Sequence, residues 1–190
     1  MLTSNEQEKL VRGCRKKDPA SQKELYVRFS KIMFGVCCRY ARCRDEAQDI
    51  LQDAFIKVFT KIDSFSQKGA SLEGWIRRIV VTTAIDYYRV KKREMLLISN
   101  NNEIEADSSD NIIDALSDKE LMESINSLPS GYRIVLNMYA IEGYSHKEIA
   151  EILNISEGTS KSQYSRAKKV LGEILTKKNI DKSYLISNGA

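Results

Sequence analysis

The 190-residue sequence predicts an all-α chain: two small helical domains joined by a flexible acidic linker, the second a helix-turn-helix. Apolar residues recur at three and four positions through the first 90 residues and again from Leu121 to Leu175, the helical period. Charge falls into three blocks. Residues 1–95 hold 20 Lys+Arg against 12 Asp+Glu, a net +8. Residues 96–126 hold 1 against 8, a net −7, and residues 127–190 hold 9 against 6, a net +3, which restores the whole-chain +4. The expected organisation is a first domain over 1–95, a linker over 96–119, a second domain over 120–178 and a tail over 179–190.

The elements follow in order. Ser4 with Gln7 has the capping-box spacing, and Leu10, Val11 and Cys14 give the first helix its apolar stripe. Asp18-Pro19 is a cap followed by proline at the first helical position. Leu25, Phe29, Ile32, Met33, Val36 and Tyr40 then trace one face of a long helix. Asp45 can cap the next, whose inward stripe is Ala47, Ile50, Leu51, Ala54, Phe55, Val58, Phe59 and Ile62. Residues 63–71 have loop composition. A helix over 72–93 follows, with Trp75, Ile76, Ile79, Val80, Thr83, Ala84 and Tyr87 on its apolar side. From Met95 to Asp118 periodicity is weak and acids, Asn and Ser dominate, as in a flexible linker. Leu128-Pro129 marks a turn before a helix carrying Tyr132, Val135, Leu136 and Tyr139, which ends at Glu142-Gly143-Tyr144. Ser145 with Glu148 boxes a short helix ending near Leu153, Asn154-Ile155 turns the chain, and Ser156 caps a last helix running to about Leu175.

Composition narrows the function classes. At 42% hydrophobic and 29% charged the chain is globular, and no stretch approaches the ~18 apolar residues of a membrane span. Met1 to Asp18 is charged throughout and has no apolar core, so no signal peptide is expected. A soluble cytoplasmic protein without membrane insertion is predicted. Cys37, Cys38 and Cys43 lie close together but lack paired C-x-x-C spacing, and the one histidine, His146, is remote in sequence. Reduced cysteines packed in helices are expected, with no metal and no cofactor. There is no G-x-x-x-x-G-K-[ST] loop and no H-E-x-x-H pair, and one histidine cannot furnish the usual triads, so no enzyme is predicted.

Three surfaces carry function. On the helix over 45–62, Asp49, Gln52, Asp53 and Ile56 share the outward face, which reads either as a docking site or as a solvated face with one stray apolar residue. On the helix over 72–93, Arg77, Arg78, Arg89, Lys91, Lys92 and Arg93 stand against a single acid, Asp86, with Tyr87 and Tyr88 among them. Rings beside cations suit single-stranded nucleic acid, since bases stack on rings and cations track the backbone. Phe65, in the preceding loop, is placed to wall a pocket for an unstacked base. The bland alternative makes Trp75 and Tyr87 core residues and the cations a solvated face. The third surface is the helix-turn-helix, Ser145 to Arg166. Its second helix carries the short polar residues Ser156, Thr159, Ser160, Ser162 and Gln163 near its start, for base edges or phosphates. Lys161, Arg166, Lys168 and Lys169 would neutralise phosphates. A protein-binding three-helix domain with a basic face is the rival.

These residues resemble a bacterial RNA polymerase sigma factor of the small two-domain extracytoplasmic-function type. The stretch Asp45 to Phe59 (DEAQDILQDAFIKVF), with Trp75-Ile76-Arg77-Arg78-Ile79 and Ala84-Ile85-Asp86-Tyr87-Tyr88-Arg89, carries the first half of the resemblance. Leu128-Pro129, Tyr132-Arg133, Glu142-Gly143-Tyr144-Ser145, Glu148-Ile149-Ala150 and Ile155-Ser156-Glu157-Gly158-Thr159 carry the second. The resemblance implies that Asp49, Gln52, Asp53 and Ile56 dock on core polymerase. It implies that Phe65, Trp75, Arg77, Arg78, Tyr88, Arg89, Lys92 and Arg93 serve recognition and opening of the minus-ten element. It implies that Ser156, Gly158, Thr159, Lys161, Ser162, Gln163, Arg166, Lys168 and Lys169 serve the minus-thirty-five element as duplex. It also implies an anti-sigma partner and gives the linker's acidity a purpose, passage through polymerase channels that otherwise hold nucleic acid. After Thr159 the chain departs from the common pattern: Ser160, Gln163 and Tyr164 stand where many members have valine, arginine and leucine. The alternative function is a helix-turn-helix regulator that does not bind core polymerase; a third is an adaptor for protein partners only.

Overall fold

The structure, a computed structural model, describes residues 3–66, 71–98 and 116–177. Most of the expected linker, the tail over 179–190 and the loop residues 67–70 lie outside the described residues. The chain divides into two compact units, Met1–Ser108 and Ser109–Ala190. The described elements are all helical: α1 (Ser4–Arg15), α2 (Pro19–Tyr40), α3 (Arg44–Lys61), a 3-10 turn (Ile62–Ser64) and α4 (Leu72–Ile98) in the first unit. The second has α5 (Leu116–Asn126), α6 (Ser130–Leu136) continued by a π-helical turn (Asn137–Ile141), α7 (His146–Leu153) and α8 (Glu157–Lys177).

In the first unit α1 packs on α2, and α2, α3 and α4 pack on one another. The cap of α1 is one residue earlier than its sequence suggests: Thr3 and Glu6 form the reciprocal box, not Ser4 and Gln7. Glutamate is the better partner, because its charge also favours the helix N-terminus. Asp18 caps α2 and Pro19 opens it, as expected. Cys43, not Asp45, is the N-cap of α3, and it makes no side-chain cap bond; Asp45 and Glu46 instead stand in the first turn.

The stripes fall largely where the periodicity puts them. The departures are Ile32 of α2, 47% exposed, and Tyr139, 39% exposed, while Phe59, Trp75, Ile79, Tyr87 and Tyr132 are half-buried. In α4, Val81 and Ile85 are buried beside the expected Ile76, Val80, Thr83 and Ala84. A helix that packs against two neighbours, here α2 and α3, needs a wider apolar arc than one face supplies. α4 also runs on to Ile98 and α5 begins at Leu116, so helix intrudes on both ends of the expected linker. Met95, Leu96 and Leu97 are strong helix formers and continue the preceding turns.

Gly13 marks the close approach of α1 to the start of α2. A methyl group there would lie 2.7 Å from Ser21 Cβ and closer still to its hydroxyl. Gly13→Ala is therefore expected to destabilise the protein. An overpacking cost of about 1–3 kcal/mol opposes a helix-propensity gain of about 1 kcal/mol, and a lower midpoint in urea denaturation would register the difference.

In the second unit Ile125, Leu128, Leu136, Ala167, Leu171 and Leu175 form one apolar cluster that ties α5 and α6 to α8. Arg133 is buried at its edge and donates to the Asn126 carbonyl at 3.2 Å, satisfying an orphan acceptor at the end of α5. Gly143, at φ +77°, supplies the left-handed residue that lets the chain leave the π-helical turn, with the Tyr144 N–H closing on the Met138 carbonyl at 2.9 Å.

Burial pushes the Cys14 thiol up to about 11 and the Cys37 thiol up to about 12. Both thiols are therefore neutral and inert at physiological pH. Among the described residues no group of His, Cys, Asp or Glu is placed to hold a metal ion, and no helix is long and apolar enough to cross a membrane.

Candidate nucleic-acid and docking interfaces

On α3, Asp49, Gln52, Asp53 and Ile56 are all exposed, and Ile56 is 61% exposed. Their spacing of three and four residues places them in one row. The opposite side of the helix, from Ala47 to Val58, is buried, so the helix is anchored firmly and presents this row outward. An isoleucine flanked by two carboxylates is a small apolar patch inside an acidic frame. It offers a partner both burial energy and charge complementarity.

On α4, the same spacing sets Trp75, Arg78, Thr82, Asp86, Arg89 and Arg93 in one stripe. Arg78 and Arg93 are exposed, and Trp75, Thr82 and Arg89 are half-buried. Asp86 sits 3.6 Å from Arg89 on its own helix and 3.6 Å from Lys57 on α3, so one carboxylate holds two cations at this surface. Arg77 and Tyr88 do not join the stripe. They lie eleven residues apart on a row that includes the buried Val81 and Ala84, and Arg77 pairs with Glu73 at 3.2 Å. The side chain of Lys92 lies outside the described residues.

Phe65 is not the exposed wall that its loop position suggests. It is 3% exposed and packs on Trp75, with ring centroids 5.4 Å apart. Apolar area next to a half-buried indole is better buried than left in water, so in this state the ring supports Trp75 from beneath. Sequence reasoning missed what holds this loop. Arg15 of α1 donates to the Phe65 carbonyl at 2.7 Å and lies 3.9 Å from Asp63. Gln7, on the same helix, accepts from the Leu72 N–H at 3.5 Å. α1 thus ties both ends of the loop, through partners 50 and 65 residues away that no local pattern reveals.

In the second unit Ser145 and Glu148 make the predicted reciprocal box at the start of α7. Asn154 takes the left-handed conformation at its end (φ 54°), which a short polar side chain tolerates. Ser156 accepts from the Thr159 N–H at 2.9 Å and so caps α8. Gly158, Lys161, Ser162, Arg166, Lys168 and Lys169 are exposed along α8, while Thr159 and Gln163 are half-buried. Several of the polar groups have local partners. The Thr159 hydroxyl lies 2.8 Å from the Ser156 hydroxyl, and the Ser162 hydroxyl donates to the Thr159 carbonyl at 3.0 Å. Lys161 pairs with Glu157 at 2.7 Å, and the Lys168 ammonium sits 4.8 Å over the Tyr164 ring. These are surface contacts of modest worth, about 0–1 kcal/mol for an exposed ion pair. Behind them lies a cluster that periodicity does not reveal. The Tyr139 and His146 rings are stacked 4.2 Å apart, Tyr164 packs on both, and His146 Nδ1 is 3.0 Å from the Ser160 hydroxyl, which is fully buried and therefore not at the surface for base edges or phosphates as its place near the helix start suggests.

Residues 25–94 match the sigma-70 region 2 family, and residues 118–171 match the sigma-70 region 4 family, together about two thirds of the chain. The chain is 29% identical over 175 residues to the extracytoplasmic-function (ECF) RNA polymerase sigma factor SigW of Bacillus subtilis, covering 86% of this chain and 93% of SigW. It is also 29% identical over 175 residues to the ECF RNA polymerase sigma-E factor of Escherichia coli K12, covering 85% and 90%. Among solved structures it is similar to the sigma factor RpoE in complex with the anti-sigma factor NepR from Bartonella quintana. There the TM-score is 0.58 at 23% identity, covering 81% of this chain and 96% of that one. CnrH in complex with the cytosolic domain of CnrY gives a TM-score of 0.50 at 18% identity, covering 90% and 97%. With region 2 and region 4 in this order on two helical units, the chain belongs to the bacterial RNA polymerase sigma factors of the sigma-70 family, in their extracytoplasmic-function group.

Proposed function

We propose that the chain is a transcription initiation factor that binds core RNA polymerase through α3, helps open the minus-ten element with α4, and reads the minus-thirty-five element with α7 and α8. The observation that carries this reading is the pairing, in one chain, of the region 2 and region 4 matches with their exposed surfaces. These are the acid-and-isoleucine row on α3, the aromatic–cation stripe on α4 and the capped basic helix α8. Residues 1–95 serve polymerase and the opened strand, residues 120–178 serve duplex DNA, and residues 96–119 tether them. The work is cytoplasmic and involves no covalent chemistry. Asp49, Gln52, Asp53 and Ile56 form the docking face. Trp75, Arg78, Arg89 and Arg93 lie along the path of the unstacked strand. Arg77 and Tyr88, which lie off that stripe, and Lys92 are assigned to the minus-ten element by the resemblance alone, and Phe65 supports Trp75. Ser156, Gly158, Thr159, Ser162 and Gln163 face base edges and nearby phosphates. Lys161, Arg166, Lys168 and Lys169 neutralise phosphates. The likeness to RpoE with NepR and to CnrH with CnrY supports an anti-sigma partner for this chain. The test is in vitro transcription with core polymerase on a genomic promoter library. New, discrete start sites that depend on the added protein are expected; no new transcript from any template would overturn the reading.

A further inference from the structure

Ser160 and Tyr164 are two of the three positions at which α8 departs from the pattern its sequence resembles, and both belong to one cluster. The His146 imidazole, at the first position of α7, lies nearly parallel to the Tyr139 ring, 13° off plane at a centroid distance of 4.2 Å. Tyr164 closes on Tyr139 at 4.6 Å and on His146 at 5.8 Å. His146 Nδ1 meets the hydroxyl of Ser160, a residue with no exposed surface, at 3.0 Å. Burial and then the neighbouring Tyr139 hydroxyl push the Tyr164 phenol up, so it stays neutral at physiological pH. One imidazole thereby joins the π-helical turn, the start of α7 and the first two turns of α8.

We propose that His146 is a positioning residue for duplex reading: with Tyr139, Ser160 and Tyr164 it sets the roll of α8, and through that roll the base discrimination of the helix, without touching DNA. The inference rests on the reading of α8 as the helix that reads duplex DNA. Ser160 and Tyr164 directly follow Thr159 and Gln163, so the locked and the reading side chains alternate around the same two turns. A roll of about 10° moves a group about 6 Å from the helix axis by about 1 Å. The useful hydrogen-bond range is only about 0.5 Å wide. The roll therefore has to be held, and a directional bond to a buried hydroxyl holds it better than a sliding apolar contact. Phosphate contacts tolerate such a shift, because they position without reading sequence.

The experiment uses the full chain bound to core polymerase. It measures binding to a duplex carrying a selected minus-thirty-five element and to the same duplex with that element scrambled, as a ratio of dissociation constants. His146→Ala and Ser160→Ala are each expected to lower the ratio about tenfold, with scrambled-duplex affinity and its salt slope unchanged. The double variant should lose no more than His146→Ala alone, because the bond that Ser160→Ala removes is already gone. His146→Phe, which keeps the stack and lacks the bond, should fail to restore discrimination. Circular dichroism melting sets a working temperature at which all variants are folded, so a purely structural role would leave the ratio unmoved. A reader control, Ser162→Ala with Gln163→Ala, separates the two possible failures. If the control lowers the ratio and the His146 and Ser160 variants do not, the lock is refuted and the reading of α8 stands. If the control also leaves the ratio intact, the reading of α8 fails, and the lock with it.

Discussion

Asp53→Ala combined with Ile56→Ala is expected to weaken association with core polymerase by about 30- to 1,000-fold and to leave the second unit's DNA binding intact. Burying an isoleucine side chain contributes about 1.5–3 kcal/mol, and a charged hydrogen bond about 1.5–3 kcal/mol. Part of that sum is spent on ordering the side chains at the interface. A net loss of about 2–4 kcal/mol remains, which converts to the stated range. The fold itself should not suffer. Ile56 is 61% exposed and the inner side of α3 is complete without it, so truncation removes only a solvated group. Titration of labelled protein with core polymerase measures the effect, and the urea midpoint checks the fold. Affinity within threefold of the unchanged chain, with the fold intact, would refute the docking role of this face. A single variant is less decisive, since interfaces concentrate their energy in a few residues and either of these two could be the minor one.

How much of this was legible in advance depends on the range of the interaction concerned. Most of the helices, though not α5, are readable, as are the Asp18-Pro19 start, the Ser145–Glu148 box and the Ser156 cap, because each is settled within about four residues. The exposed row on α3 was readable for the same reason: once the inward stripe is known, its complement is known. The sequence puts the cap of α1 one residue late because Thr3 and Ser4 are chemically alike and only the partner distinguishes them. The burial of Phe65 is not legible, because loop composition says nothing of where the loop packs and its burial depends on Trp75. Arg15, Gln7 and the Tyr139–His146–Tyr164 cluster were invisible for a related reason. Their partners come from other helices, at separations that periodicity does not address. The roles of the surfaces came from the resemblance; the residues alone left a docking face and a solvated face both open.

Arg78→Ala combined with Arg89→Ala should lower the yield of open complex about 100-fold while changing closed-complex affinity by less than threefold. Opening a promoter costs a few kcal/mol per unstacked step, and the strand must recover that from contacts made only after it is unpaired. A charge-assisted contact is worth about 1.5 kcal/mol or more, so the loss of two gives roughly that factor. Arg89 is engaged with Asp86 before DNA arrives, and Asp86 also holds Lys57. That engagement is no obstacle. The pair is only partly buried, worth about 0–1 kcal/mol, and a strand phosphate is expected to displace it. The carboxylate is instead expected to keep Arg89 ordered along the stripe and to lower its cost of immobilisation. Asp86→Asn separates the two effects. Were Asp86 merely a competitor, the substitution would raise open-complex yield; as an orienting group, its loss should lower the yield by a fewfold, far less than removal of the two arginines. Permanganate reactivity of melted thymines, measured beside closed-complex binding at low temperature, reads both quantities. Full melting by the double arginine variant would remove α4 from the opening step and leave its cation stripe a solvated face.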